Sequence, residues 1–474
     1  MTAIKPGHRY ANQLAIIASL GGFLFGYDTA DISGTIHFVS SQFQLDAAAT
    51  GWYVSSALIG CIAGVSVAGV LSDHYGRKKM LILSALFFGI SAIGCAFAIG
   101  FTDLIIYRLI GGLGIGVASM LSPLYISELS PSHKRGRLVA LYQFAITIGI
   151  LFSYFANAYL LTLSHHQSLQ QTTGLLHKIM VSEVWRIMLG ASVIPAFLFL
   201  FLLFFVPESP RWLTIKGHES AAIQVLKKIS SNEEAQKEIR DIKSNLQQEA
   251  GGLNILFKGS FRLAMFIGIS LAFLTQVSGI NAIIYYGPRI LEEAGLPVSD
   301  ALSGQVIIGL VNVLFTLVAI WKIDRLGRKP LLQAGVIGIL CSLIIIGSLF
   351  YFNSSNTYLL LIFILLFIAC FAFSYGPVIW VLLAEIFPAK IRGQAMSLAT
   401  FSLWIGTSLV GQLTPIFLEK LGAAGTFWLF ALMTSPALYL AIKILPETKG
   451  KSLEEIERYW LNRKLKDHVH EIEK

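Results

Sequence analysis

"FLFGYDTADISG", residues 23–34, places two carboxylates, Asp28 and Asp31, three residues apart inside a strongly apolar stretch. The run around it, residues 12–36, is long enough to cross a hydrocarbon core of about 30 Å at about 1.5 Å per residue. It is too long for a signal peptide, holds acids and lacks a small-residue cleavage site, so it reads as a first membrane span. Eleven comparable runs follow, at 51–72, 80–100, 103–127, 139–160, 184–206, 262–285, 302–323, 331–352, 358–384, 394–417 and 424–445. With 55% hydrophobic and 13% charged residues and a mean hydropathy of +0.69, the chain has the composition of an all-α integral membrane protein.

The formal charge of +9 follows topology. Basic residues fall in alternate loops: Arg77, Lys78 and Lys79 after span 2, Lys134, Arg135 and Arg137 after span 4, Lys322, Arg325, Arg328 and Lys329 after span 8, Lys390 and Arg392 after span 10. The positive-inside rule then places both termini in the cytoplasm of a multi-pass protein of the cell (inner or plasma) membrane. The basic surface meets the lipid bilayer and calls for no nucleic acid. Cys61, Cys95, Cys341 and Cys370 stand singly within spans, without disulfide or metal-ligand spacing. No metal site, nucleotide loop or nucleophile triad is legible, so an enzyme is not expected. "HHQSLQQ" from His165 reads as an exposed polar loop, and "NSS" at Asn353 is only formally a glycosylation acceptor.

One long polar segment divides the spans, giving an N-terminal bundle (1–206), a cytoplasmic helical linker (207–261), a C-terminal bundle (262–446) and a cytoplasmic tail (447–474). The halves repeat each other. "DHYGRKK" at Asp73 returns as "DRLGRKP" at Asp324, "SELSPSHKRGR" at Ser127 as "AEIFPAKIRGQ" at Ala384, and "PESPRW" at Pro207 as "PETKGKS" at Pro446. Two similar bundles rocking about a midplane site are a device for alternating access, which makes a transporter the natural reading over a receptor or channel. The repeated motifs also place acids and arginines at cytoplasmic helix ends, where a guanidinium can fork onto a carboxylate. Arg77, Glu128, Arg135 and Glu208 are expected to form one cytoplasmic gate cluster, and Arg328, Glu385, Arg392 and Glu447 the other; some of these charges serve topology alone.

With "YRLIGGLGIG", "QVSGINAIIYY" and "GPVIWVLLAEIFPAKIRG" added, the motifs cover nearly the whole chain, which resembles the sugar porters of the major facilitator superfamily, bacterial sugar:proton symporters and facilitative glucose transporters among them. The resemblance implies twelve transmembrane helices in two six-helix bundles around a monosaccharide site, functional as a monomer. It implies that Gln143, Gln276, Asn281, Asn312, Trp380 and Trp404 line that site together with Thr275, with Tyr285 and Tyr286 nearby. Amides offer a donor and an acceptor to vicinal hydroxyls, and an indole face suits a sugar's C–H surface. Taken singly, such amides read as interhelical hydrogen bonds. Thr275, Leu403 and Thr407 stand where the family tends to carry amides, so hydroxyl recognition is expected to be weakened or redirected there, and hexoses, pentoses and a polyol all stay open.

Asp28 matches the protonatable acid of the family's symporters, and Arg108 its partner, so the proton is the expected coupling ion and no other cofactor is expected. A static ion pair is the alternative. Asp31 has no family counterpart and is expected to face water near the outer mouth; assistance in proton uptake and a bond to a sugar hydroxyl are the other readings. A proton-independent uniporter and a non-transporting sensor complete the alternatives, and drug efflux suits the amides less well.

Overall fold

The computed structural model describes residues 6–130, 135–248, 261–353, 356–387, 392–451 and 455–456, and these hold helices and no strand. In chain order the helices are α1 (Pro6–Ala30), α2 (Ile32–Phe43), α3 (Ala47–Tyr75), α4 (Arg77–Phe97), α5 (Phe101–Leu129), α6 (Arg135–Ser164), the short α7 (Gln167–Gln170) and α8 (Gly174–His177), α9 (Trp185–Gly190) and α10 (Val193–Leu203). Then come α11 (Pro210–Ile215), α12 (Glu219–Lys227), α13 (Asn232–Gln248), α14 (Phe261–Val277), α15 (Ile280–Glu293), α16 (Val298–Leu326), α17 (Arg328–Tyr351), α18 (Thr357–Phe373), α19 (Tyr375–Ile386) and α20 (Arg392–Tyr439).

Among the described residues, ten helical stretches are long and apolar enough to cross a membrane. Counting α20 as two helices, because Gly422 turns the chain at φ 67°, and adding α1 brings the crossings to the twelve expected. α10, "VIPAFLFLFLL", is apolar on every side, and its Ile194 and Phe201 stand 73% and 60% exposed, the mark of a surface that meets lipid rather than water.

By contact the chain divides into two compact units, Met1–Gln247 with Ile284–Leu310 and Gln248–Ile283 with Val311–Lys474. In the first, small residues let helices touch backbone to backbone. Gly60 and Gly64 of α3 face Gly112 and Gly116 of α5, and a β-carbon on Gly112 would stand 2.9 Å from the Gly60 Cα. This is the small-xxx-small crossing of membrane helices, used twice over. Gly22 and Gly149 do the same for α1 against α6, where a β-carbon on Gly22 would meet the Tyr142 carbonyl oxygen at 2.8 Å.

Several crossings are broken where the sequence shows one continuous run. α1 gives way to α2 at Asp31, α14 to α15 at Gly279 (φ 88°) and α18 to α19 at Ser374. Phe430 packs 2.7 Å from where a β-carbon on Gly279 would be, so both space and backbone conformation favour glycine there. Such discontinuous helices free backbone groups in the interior of a membrane protein, where polar ligands can use them.

Candidate functional site

The repeated cytoplasmic motifs build the same arrangement in each unit. In the first, Arg77 is buried and forks onto Glu128, Nε to Oε2 at 3.2 Å and Nη2 to Oε1 at 3.4 Å. Glu208 caps the start of α4, its Oε1 accepting from the Arg77 and Lys78 N–H groups at 2.9 and 3.1 Å, and Ser209 donates to Glu128 at 2.5 Å. In the second unit Arg328 forks onto Glu385 at 3.1 and 2.9 Å. Glu447 accepts from the Arg328 and Lys329 N–H groups at 3.1 and 3.0 Å, and Thr448 donates to Glu385 at 2.5 Å. Gly76 and Gly327, at φ 103° and 95°, make the turns that bring these N–H groups to the glutamates. Burial pushes Glu208 above the ordinary carboxylate range, against the N–H groups of Ser209, Lys78 and Arg77. For Glu447 burial is outweighed by the N–H groups of Lys449, Arg328, Lys329 and Thr448, which hold it below that range. The side chains of Arg135 and Arg392 lie outside the described residues.

These buried forks predict a graded loss. Arg77→Ala leaves Glu128 without its cation at side-chain exposures of 5% and 5%, against 12% and 27% for Arg328 and Glu385. Breaking a buried pair costs about 3–5 kcal/mol. Thermal unfolding in detergent is therefore expected to show the larger drop for Arg77→Ala and a smaller one for Arg328→Ala; equal midpoints would contradict it.

Deeper in the first unit lies a buried polar cluster built from five helices. Asp28 is half-buried near the end of α1, with its Oδ2 3.3 Å from where a β-carbon on Gly111 of α5 would be, a place the Ser91 side chain of α4 approaches more closely still. The Ser192 hydroxyl, at the break between α9 and α10, and the charge of Arg108 both act on Asp28. Arg108 is 6% exposed. It donates its Nε to the Tyr53 carbonyl at 3.1 Å and lies 5.2 Å over the Tyr53 ring, and among the described residues no Asp28–Arg108 contact closes to 4.0 Å. Tyr53 is held in turn by Thr35 of α2, hydroxyl to hydroxyl at 2.8 Å.

Asp31 is not at a watery outer mouth. It is 1% exposed, in the single-residue break between α1 and α2. Its carbonyl accepts from the Gly34 N–H at 3.2 Å and from the Asn157 side chain of α6 at 3.0 Å, which replaces the helical ladder bond lost at the break.

In the second unit, Gln276 at the end of α14 and Asn281 at the start of α15 flank the Gly279 break, and Asn281 Nδ2 donates to Gln276 Oε1 at 2.6 Å. Thr407 of α20 stands 3.0 Å from the same Gln276 oxygen and 2.9 Å from the Leu403 carbonyl; its single hydroxyl proton can serve either. The short Thr407 side chain, read from sequence as a lost donor, thus positions an amide. Thr275 turns away and donates to the Leu271 carbonyl at 2.7 Å. Asn312, Trp380 and Trp404 sit on α16, α19 and α20 of this unit, and Gln143 sits on α6 of the first.

Two contacts carried no sequence signal. Arg186 of α9, buried, donates its Nη1 to the Ala96 and Ala98 carbonyls at 3.1 and 2.6 Å and so caps α4. His37, midway along α2, meets Glu292 of α15 at 3.0 Å, a hydrogen bond that raises the proton affinity of its imidazole against the effect of burial. An isolated histidine and an isolated acid 255 positions apart give local pattern nothing to find.

Comparison with known proteins gives a consistent result. A family model described as "Sugar (and other) transporter" matches residues 14–460. The arabinose-proton symporter of Bacillus subtilis is 40% identical over 449 residues, covering 94% of each chain. The D-xylose-proton symporter of Escherichia coli K12 is 39% identical over 485 residues, covering 95% of this chain and 96% of that one. The partially occluded inward-open structure of the xylose transporter XylE from E. coli matches with a TM-score of 0.82 at 35% identity, over 94% of this chain and all of that one.

Proposed function

The chain belongs to the sugar transporter family, and from that membership we propose that it imports a monosaccharide together with a proton by alternating access. The carrying observation is Asp28, a carboxylate in a membrane helix that feels the charge of the buried Arg108. Such a group is costly at membrane depth and has a ready use as a proton acceptor. Relatives named as arabinose-, xylose- and galactose-proton symporters support a pentose or hexose as cargo.

The cycle follows from the residues. Asp28 takes a proton from outside, its attraction to Arg108 weakens, the sugar-loaded carrier rocks inward, and loss of the proton restores the attraction. Gln143, Gln276, Asn281 and Asn312 offer hydroxyl partners, and Trp380 and Trp404 an apolar face. The twin clusters around Arg77 and Arg328 hold the cytoplasmic ends until the rocking step. The protein works as a monomer in the cell membrane with both termini cytoplasmic, and the proton is its one coupling partner.

The test is uptake of labelled D-xylose, L-arabinose, D-galactose and D-glucose into proteoliposomes, with and without an inward proton gradient. At least one sugar is expected to accumulate above its outside concentration only with the gradient. Simple equilibration in both conditions would establish a uniporter instead, and binding without any flux a sensor.

A further inference from the structure

The buried cluster of the first unit holds two carboxyls, Asp28 and Asp31, and a single guanidinium, Arg108, whose Nε is already engaged by the Tyr53 carbonyl. The groups acting on Asp31 are Tyr27 and Asp28 from α1, the Ile32 N–H at the start of α2, Tyr53 from α3, Cys95 from α4 and Arg108 from α5, with the neutral Asn157 contributed by α6. With both acids ionised the cluster would carry a net negative charge beside buried side chains. With one proton between them it is neutral.

Hydrogen bonding points the same way. Two buried acceptors in this cluster lack any donor, Asp31 Oδ1 and Asn157 Oδ1, each on a residue 1% exposed. The Asn157 amide is fixed in place, its Nδ2 on the Asp31 carbonyl and its side chain packed where a β-carbon on Gly34 would be, 2.8 Å from the Asn157 Cβ. An ionised carboxylate can only accept, and it would leave both oxygens orphaned at a cost of about 1–3 kcal/mol each. A protonated Asp31 carries a donor of its own on the residue whose Oδ1 stands unpaired.

We propose that Asp31 is a second proton-carrying residue of this transporter, which stores the coupling proton that Asp28 takes up, so that the two carboxyls share one proton opposite Arg108. The inference rests on the symport reading. Asp28, half-buried, is the entry, and the fully buried Asp31 is the store. In the transfer the proton leaves the Asp28 carboxyl and joins the Asp31 carboxylate; the charge of the pair stays at minus one, balanced by Arg108. By adding one negative charge to the cluster, Asp31 raises the proton affinity of the pair.

Asp31→Asn removes that charge and keeps the shape. Gradient-driven uptake of D-xylose or L-arabinose in proteoliposomes is expected to need about tenfold more protons, a shift of its pH midpoint to the acid side by about one unit. Asp31→Glu keeps an acid and is expected to hold the wild-type midpoint. If both variants change the rate alike and neither moves the midpoint, Asp31 is only structural and the proposal fails. Infrared spectroscopy of the purified protein gives a readout independent of transport. A protonated-carboxyl band at neutral pH is expected in wild type and lost in Asp31→Asn, and an identical band in both overturns the stored proton. Should wild type fail to couple uptake to the gradient at all, the symport reading falls, and the infrared comparison still decides whether Asp31 holds a proton.

Discussion

Asp28→Asn is expected to reduce gradient-driven sugar accumulation to simple equilibration while sugar exchange persists. The substitution keeps the volume of the side chain beside Gly111 and Ser192 but removes its ability to ionise, so Arg108 feels a permanently neutral group at position 28, as it does at the moment Asp28 has taken up its proton. A neutral site can rock with its sugar in either direction, which preserves exchange. It can no longer tie inward movement to a proton. The effect is large because the driving force is large: a proton entering down 100 mV brings about 2.3 kcal/mol, enough for about fiftyfold accumulation. Counterflow and gradient-driven uptake of the same labelled sugar, measured side by side, check this. Undiminished accumulation in the variant would move the coupling site away from Asp28.

The parts of this machinery differ in how openly the sequence declares them. The twin cytoplasmic clusters were legible because each member sits in a motif that recurs in the other half, and because charges at helix ends are conspicuous against apolar spans. Arg77, Glu128 and Glu208, and again Arg328, Glu385 and Glu447, meet as grouped. Asp31 was placed wrongly for a physical reason. Helical spacing puts it on the face of Asp28, but helix α1 stops at Ala30, and the group that occupies the freed carbonyl comes from Asn157, 126 positions away. Nothing local announces such a contact. The breaks at Gly279 and Ser374 were hidden likewise, since a hydropathy run reads straight through them. The last turns of α15, with Arg289, Glu292 and Glu293, lie beyond the apolar run that ends at residue 285; there Arg289 meets Glu293 at 3.7 Å and Glu292 meets His37.

Gly112→Val is expected to prevent the first unit from packing, because α3 and α5 have no room between them for a side chain. A β-carbon at 112 would press on the Ala57 carbonyl and stand 2.9 Å from the Gly60 Cα, both backbone atoms that cannot rotate away. Gly60, Gly64 and Gly116 continue the same contact, with a β-carbon on Gly116 coming within 3.0 Å of the Gly64 Cα, so relief at one point forces separation along the whole crossing. Overpacking costs about 1–3 kcal/mol where side chains can adjust, and more is expected where only backbones meet. Gly89→Ala is the matched control: nothing lies within 4 Å of its added carbon, and alanine favours a helix by about 1 kcal/mol over glycine. Size-exclusion profiles and thermal midpoints of the two variants should separate sharply, and equal behaviour would mean that α3 and α5 are not locked. Transport adds a second consequence. α5 carries Arg108 and Gly111 on the turn before and beside Gly112, so any folded fraction of Gly112→Val has that helix pushed from α3, the Tyr53 carbonyl pulled from Arg108, and proton coupling lost before sugar exchange.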